Sequence, residues 1–93
     1  MGQMNVNPQR VEELMKRLLS ITNDMQSKQK QLKVHIQNLE HYWNDHHYKS
    51  FTEQYGEFDK ILQKALQYSE TILIPNLKNI KKFADEYENL GRK

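Results

Sequence analysis

Apolar residues recur in alternating steps of three and four along two stretches of this chain, as in an amphipathic helix. The first stripe is apolar with two polar exceptions: Val11, Leu14, Leu18, Ile21, Met25, Lys28, Leu32, His35 and Leu39. The second stripe begins with aromatic residues and continues with smaller or aliphatic ones: Tyr48, Phe51, Tyr55, Phe58, Leu62, Ala65, Ser69 and Ile72. This spacing predicts helices over 8–42 and 47–74, joined by an elbow over 43–46.

Residues that favour helix starts precede both stripes. Asn7 can cap the first helix because its side-chain oxygen accepts a free backbone N–H. Pro8 suits the first helical position, where its missing N–H costs nothing. Asp45 can cap the second helix, and its negative charge also suits the helix dipole.

Pro75 interrupts the second stripe. Proline removes one backbone donor and crowds the carbonyl four residues earlier, here that of Thr71. The pattern resumes one residue out of register with Leu77, Ile80, Ala84 and Tyr87. We expect a helix over 76–90, reached either through a kink or through a break at Pro75.

Two long helices with a short connection lie antiparallel, so we predict one all-α helical-hairpin domain with the two stripes facing each other. Further apolar residues widen both stripes: Met15, Leu19, Ile36, Ile61, Leu66 and Leu73. A wide stripe indicates more than one neighbour, which favours a dimer forming a four-helix bundle. Alternatively, the segment after Pro75 folds back over the extra stripe. The residues expected in the hairpin or dimer core are Leu14, Leu18, Ile21, Met25, Leu32, Leu39, Tyr48, Phe51, Tyr55, Phe58 and Leu62.

Composition narrows the classes of function. The 93 residues carry a net charge of only +2, which argues against a nucleic-acid-binding protein. The chain contains no cysteine, so disulfides and cysteine-based zinc sites are excluded. It also has no apolar run of the roughly 18 residues that a transmembrane helix needs. Residues 1–6 lack the features of a signal peptide, so we expect synthesis in the cytoplasm and any export without a cleaved leader.

Candidate chemistry is sparse, and we predict a protein that is not an enzyme and uses no cofactor. No nucleophile elbow, phosphate-binding loop or metalloprotease motif is present. The elbow gathers His41, Asp45, His46 and His47, with His35 nearby, which are residue types that bind zinc. Because His46 and His47 are adjacent and point in different directions on a helix, we interpret these histidines as solvated.

Two other clusters have an ordinary structural interpretation. The aromatic series from Tyr48 to Phe58 suits an apolar ligand, but its helical spacing favours core packing. Lysines cluster on both helices and are of the type that contacts anionic lipid: Lys28, Lys30, Lys33, Lys78, Lys81 and Lys82. Acidic residues intervene nearby, so we interpret these lysines as solvated and expect no membrane contact.

Trp43 is the only tryptophan, and it lies at the elbow. Leu39 precedes it by one helical turn, Asn44 and Asp45 follow it, and Phe51 comes eight residues after it. With Val6-Asn7-Pro8 at the start of the first helix, this spacing resembles the WXG family, the small helical-hairpin substrates of type VII secretion systems. The resemblance covers essentially the whole chain.

The chain departs from that family at two places. Asp45 stands where the motif has glycine, and Asp tolerates left-handed backbone geometry and can cap the next helix. Actinobacterial members carry a Tyr-X-X-X-Asp/Glu export signal, whereas Tyr87 is followed four residues later by Gly91. Tyr55 and Asp59 have the signal's spacing, but they lie on the stripe, where core packing is the simpler interpretation.

The resemblance implies a secreted protein that acts by binding, as a homodimer or with a paralogous hairpin. It also implies that Trp43, Asn44 and Asp45 contribute to a surface read by the secretion machinery, together with the partner's C-terminal tail. For Trp43 itself, a structural plug that closes the end of the hairpin remains an alternative. The second function that we consider is a cytosolic helical dimerisation or adaptor module with no export role.

Overall fold

The computed structural model describes residues 6–91 of the chain. They form three α-helices: α1 (Pro8–Leu39), α2 (His46–Tyr68) and α3 (Ile74–Gly91). A π-helical turn over Ser69–Leu73 joins α2 to α3, so these two helices make one long arm. The arm returns along α1, and the backbone forms a rod with extents of 71 × 21 × 15 Å. The predicted all-α antiparallel helical hairpin is confirmed.

Side-chain caps define where α1 and α2 begin. The Asn7 Oδ1 atom accepts the backbone N–H groups of Gln9 (2.9 Å) and Arg10 (3.4 Å), and Pro8 occupies the first turn of α1. The Asp45 Oδ1 atom accepts those of His47 (2.9 Å) and Tyr48 (3.1 Å) at the start of α2. Each cap satisfies backbone donors that have no partner within the helix.

The first helix ends at Leu39, three residues before the predicted boundary at Tyr42. Residues 40–42 form a tighter turn in which each backbone N–H bonds the carbonyl three residues earlier, as Tyr42 does with Leu39 at 2.9 Å. Glu40 therefore bonds Gln37 and leaves the Ile36 carbonyl free for another donor. The Tyr48 hydroxyl donates to that carbonyl at 2.7 Å. Non-helical backbone thus occupies 40–45, rather than the predicted 43–46.

The helix is continuous through Pro75, which lies at the second residue of α3. In the π-turn before it, the Ile74 N–H bonds the Ser69 carbonyl five residues earlier. A π-turn holds one more residue than an α-helical turn, and this accounts for the one-residue shift in the apolar pattern. The missing donor of Pro75 is thereby accommodated without a break.

The two arms pack along a stripe that differs from the predicted one by a small rotation. Some positions of the predicted stripes do face the other arm, including Val11, Leu18 and Tyr48. The remaining inward positions come from a neighbouring row of buried or half-buried residues: Met15, Thr22, Gln29 and Ile36 on α1, and Thr52, Asp59 and Leu66 on α2. The predicted stripe therefore lies partly at the side of the hairpin.

Polar contacts occupy the middle of this interface. Buried Thr22 and Ser69 share a hydroxyl–hydroxyl hydrogen bond of 2.7 Å, and the Thr22 hydroxyl also donates to the Leu18 carbonyl. The Gln29 side-chain amide donates hydrogen bonds to Asp59 Oδ1 (3.0 Å) and to Gln63 Oε1 (3.1 Å). Small side chains at Thr22 and Ser69, and at Ala84 in α3, let the backbones approach closely in the half that contains the chain ends. α1 lies in close contact with α3 over more of its length than with α2.

Candidate functional site

Trp43 lies at the elbow, where its indole ring packs on the start of α2. The ring meets Tyr48 edge to face, with centroids 5.3 Å apart, and it lies tilted over Phe51 at 6.1 Å. The backbone N–H of Trp43 bonds the Leu39 carbonyl at 2.9 Å, which fixes the chain just after α1. The side chain is half-buried, so part of the indole remains accessible.

Asp45 connects the indole to the cap of α2. The same Oδ1 atom that caps the helix also accepts the indole N–H of Trp43, at 2.9 Å. The hydrogen bond from the Tyr48 backbone N–H is the largest cause that lowers the pKa of Asp45 below its ordinary value of 3.8. The indole and His47 hydrogen bonds lower this pKa further, because they too favour the ionised carboxylate.

The backbone of Asp45 corrects one expectation. Its φ of −86° and ψ of −174° are extended, and no non-glycine residue within 6–91 has a positive φ. Left-handed geometry is therefore not what Asp45 supplies at the motif's glycine position. Asn44, the middle residue of the motif, is exposed and non-helical.

One side of the hairpin is apolar and uncovered. We call this side the apolar face and define it by seven large side chains that are each at least 40% exposed: Leu14, Ile21, Met25, Leu32, Phe51, Phe58 and Tyr87. An α-helix turns by about 100° per residue, so the position of each residue around the helix axis follows from its number. On both arms the residues of the apolar face lie about 60° around the axis from the inward stripe, in the same sense of rotation. Because the arms are antiparallel, equal offsets put them on the same side of the rod.

The apolar face contains a groove in the elbow half of the rod. Residues of both arms line it: Leu32, His35, Ile36, Leu39, Trp43, Phe51, Gln54, Tyr55 and Phe58. The groove encloses about 540 Å³ and is almost entirely apolar. Burial, followed by the nearby charge of Asp59, raises the pKa of Tyr55, so the phenol in the groove wall stays protonated at neutral pH. The groove is chemically suited to apolar side chains.

The opposite side of the hairpin carries more charged side chains. A smaller depression there is lined by charged, polar and apolar residues together: Lys33, Ile36, Gln37, Tyr48, Thr52, Tyr55, Gly56, Asp59 and Lys60. Nearer the chain ends, the same side carries Lys81, which pairs with Asp85 at 2.9 Å. The contrast between the two sides makes the apolar face the stronger candidate for an interface.

The predicted core residues divide into three groups. Tyr48 is buried, and Leu18, Leu39, Tyr55 and Leu62 are half-buried between the arms or at their edge. The others are exposed and correct the expectation that the two stripes face each other: Leu14, Ile21, Met25, Leu32, Phe51 and Phe58. The physical reason is that Thr22, Ser69 and Ala84 bring the backbones close on a rotated stripe, which leaves the larger side chains at one side.

The elbow histidines do not gather around a common point. The rings of His46 and His47 lie 4.0 Å apart and both are exposed. Within residues 6–91, no group of three His, Asp or Glu side chains is placed to hold a metal ion. Several of the lysines are exposed, and Lys28 pairs with Asp24 at 3.1 Å.

Reasoning from the sequence missed a contact at the elbow and another between the two arms. Asp45 was predicted as a cap, but its bond to the Trp43 indole was not. The Thr22–Ser69 pair was missed because Thr22 lies off the predicted stripe. A sequence signal existed, since Met15, Thr22, Gln29 and Ile36 are spaced by seven residues, as one row of a helical interface would be.

Comparison of the chain with protein-family models, with curated proteins and with solved structures gives no match. None of the helices described over residues 6–91 is both long and apolar enough to cross a membrane.

Proposed function

We propose that this protein is a non-enzymatic, WXG-type helical hairpin that dimerises through its apolar face and is a substrate or effector of a type VII-like secretion system. The observation that carries this proposal is the uncovered apolar face, which ends at the Trp43–Asp45 elbow. The face lies on a rod whose backbone is 71 Å long, and a standard protein interface takes ~800 Å² of surface from each partner.

The small core of the isolated hairpin supports a partner. Within residues 6–91, the buried apolar side chains are Val11, Tyr48, Leu66 and Ala84, with Pro8 at the start of α1, whereas the large residues of the apolar face remain in contact with water. Covering those side chains would add the apolar burial that a two-helix structure cannot supply by itself. A second copy is the simplest occupant because it presents the same face, and a paralogous hairpin is the alternative occupant.

Shape favours an antiparallel arrangement of the two copies. The groove occupies the elbow half, while the other half is closely packed and carries exposed Leu14 and Ile21. A two-fold axis near the middle of α1 would bring Leu14 of one copy over Leu32 of the other. A parallel arrangement would instead face groove against groove and leave cavities, which destabilise an interface.

The oligomeric state is the first test. Light scattering and sedimentation should give about twice the mass of 11.2 kDa at micromolar concentration. A monomer mass throughout would exclude the homodimer and direct the search to a paralogous hairpin, sought by pull-down from the native cell.

Cross-linking tests the arrangement, because the chain has no native cysteine. Mixed Leu14→Cys and Leu32→Cys chains should form a disulfide-linked dimer between the two variants. Asn38→Cys replaces Leu32→Cys in the matched control, since Asn38 is exposed and lies outside the groove. Efficient linkage in the control, or none between positions 14 and 32, would contradict the antiparallel dimer.

Secretion is tested separately from folding. Mass spectrometry should detect the protein in culture medium of the native cell, and Trp43→Ala should remove it from the medium while the purified variant remains helical. The second candidate, a cytosolic dimerisation module, is favoured by Gly91 at the expected acidic position of the export signal. It predicts the same dimer, with no protein in the medium of intact cells.

A further inference from the structure

We propose that Asp45 is a positioning residue that holds the indole of Trp43 at the end of the apolar groove. Its Oδ1 atom accepts the indole N–H at 2.9 Å and, at the same time, the N–H groups of His47 and Tyr48. The indole is thereby tied to the first turn of α2. The orientation follows from these hydrogen bonds, whereas its importance for binding rests on the proposed function.

The indole has contacts on several sides, and each constrains a different motion. Tyr48 and Phe51 pack against the ring, and the Asp45 bond holds its N–H edge. The accessible remainder of the ring lines the groove beside Leu39. Aromatic packing tolerates sliding and tilting of a ring, but a hydrogen bond to the indole nitrogen sets its rotation.

A glycine at this position, as in the family motif, has no side chain that could accept the indole N–H. The chain therefore has a means of fixing its tryptophan that the glycine motif lacks. The negative charge matters because charge-assisted hydrogen bonds are stronger than neutral ones. It also lies at the N-terminus of α2, where the helix dipole favours an anion.

Asp45 both caps α2 and accepts the indole N–H, so the experiment must separate these two roles. Asp45→Asn keeps an acceptor for both, and Asp45→Gly removes both. Asp45→Ser keeps a good helix cap, but its oxygen lies one bond nearer the backbone and should not reach the indole as well. Asn7→Gly is the matched control, because it removes the cap of α1 without touching Trp43.

The readout is specific because Trp43 is the only tryptophan. Hydrogen exchange of the indole N–H by NMR and near-ultraviolet circular dichroism should be measured on the full chain. We expect faster exchange and loss of the tryptophan dichroism in Asp45→Gly and Asp45→Ser. Asp45→Asn should largely retain both signals, and Asn7→Gly should match the wild-type protein.

The positioning role would be overturned if Asp45→Gly left the indole signals unchanged, or if Asn7→Gly altered them equally. Secretion of the same variants then tests the consequence. Reduced secretion of Asp45→Gly and Asp45→Ser, with normal helicity, would support both the positioning and its importance for recognition. A released indole with normal secretion would support the positioning role and overturn Trp43 as a recognition residue.

Discussion

Replacing Phe58 by alanine should weaken self-association far more than it weakens the hairpin. Phe58 is 55% exposed and lies on the wall of the groove. An aromatic side chain buries about 200 Å² when fully covered, so roughly 110 Å² of Phe58 is left for a partner to cover. At about 25 cal/mol per Å², this area corresponds to roughly 2.5 to 3 kcal/mol per copy.

A two-fold dimer contains Phe58 twice, so its loss amounts to roughly 5 kcal/mol per dimer. Because about 1.4 kcal/mol changes an equilibrium constant tenfold, the dimer Kd should rise roughly 4,000-fold. The part of Phe58 that the hairpin itself covers contributes roughly 2 kcal/mol to the free energy of unfolding of the hairpin. The variant should therefore be a helical monomer that unfolds at a somewhat lower temperature.

Sedimentation equilibrium over a wide concentration range measures the Kd, and circular dichroism measures the helicity. Val34→Ala is the control: Val34 is 53% exposed on α1 but does not line the groove. Because Val34 lies outside the groove, this variant should keep the wild-type Kd. Alanine favours a helix, so the helicity should be kept as well. Equal Kd values for wild type and Phe58→Ala, or an equal shift in Val34→Ala, would refute the assignment of the interface.

Further predictions concern the interface between the arms, the helix backbone and the elbow. Thr22→Val should lower the free energy of unfolding by about 1–3 kcal/mol, because the Ser69 hydroxyl loses its buried partner. In thermal denaturation, the double variant with Ser69→Ala should recover part of that loss. Gly56→Ala should raise the free energy of unfolding by about 1 kcal/mol, since an added Cβ meets no atom within 4 Å; a lower midpoint in urea would contradict this. The folded pKa of Asp45 lies below 3.8, so its contribution to stability is complete above that pH and is lost as the pH falls through the folded value. Acid titration of Trp43 fluorescence should show this transition, and Asp45→Asn should lack it.

The hairpin was predictable because its signals are local. Three-and-four spacing produces long helices, and the Asn7 and Asp45 side chains cap backbone donors within their own first turns. Even the displaced register after Pro75 was visible as a one-residue shift in the apolar pattern. Its cause was not visible, since a kink, a break and a π-turn all fit the same spacing. The observed turn depends on how α3 packs against α1.

The identity of the inward stripe was not predictable in the same way. Counting apolar residues favours the row of α1 that contains Leu14 and Ile21, yet α1 meets the other arm along a row that contains Thr22. The partner of Thr22, Ser69, does lie on the predicted second stripe. Small side chains permit closer backbone approach, and the polar groups among them satisfy one another by hydrogen bonds. Such compensation between residues distant in the chain is absent from a periodicity count.

The order of residues by itself determined the helical class, the place of the elbow and the capping roles of Asn7 and Asp45, because these depend on neighbours within a turn or two. Only the tertiary structure decided which side of each helix faces the other arm, since that choice depends on how closely two distant backbones approach. The same packing left Leu32 and Phe58 together on one uncovered face. The hydrogen bond from the Trp43 indole to Asp45 joins residues only two positions apart, but the conformation of residues 40–45 that forms it was seen only in the structure.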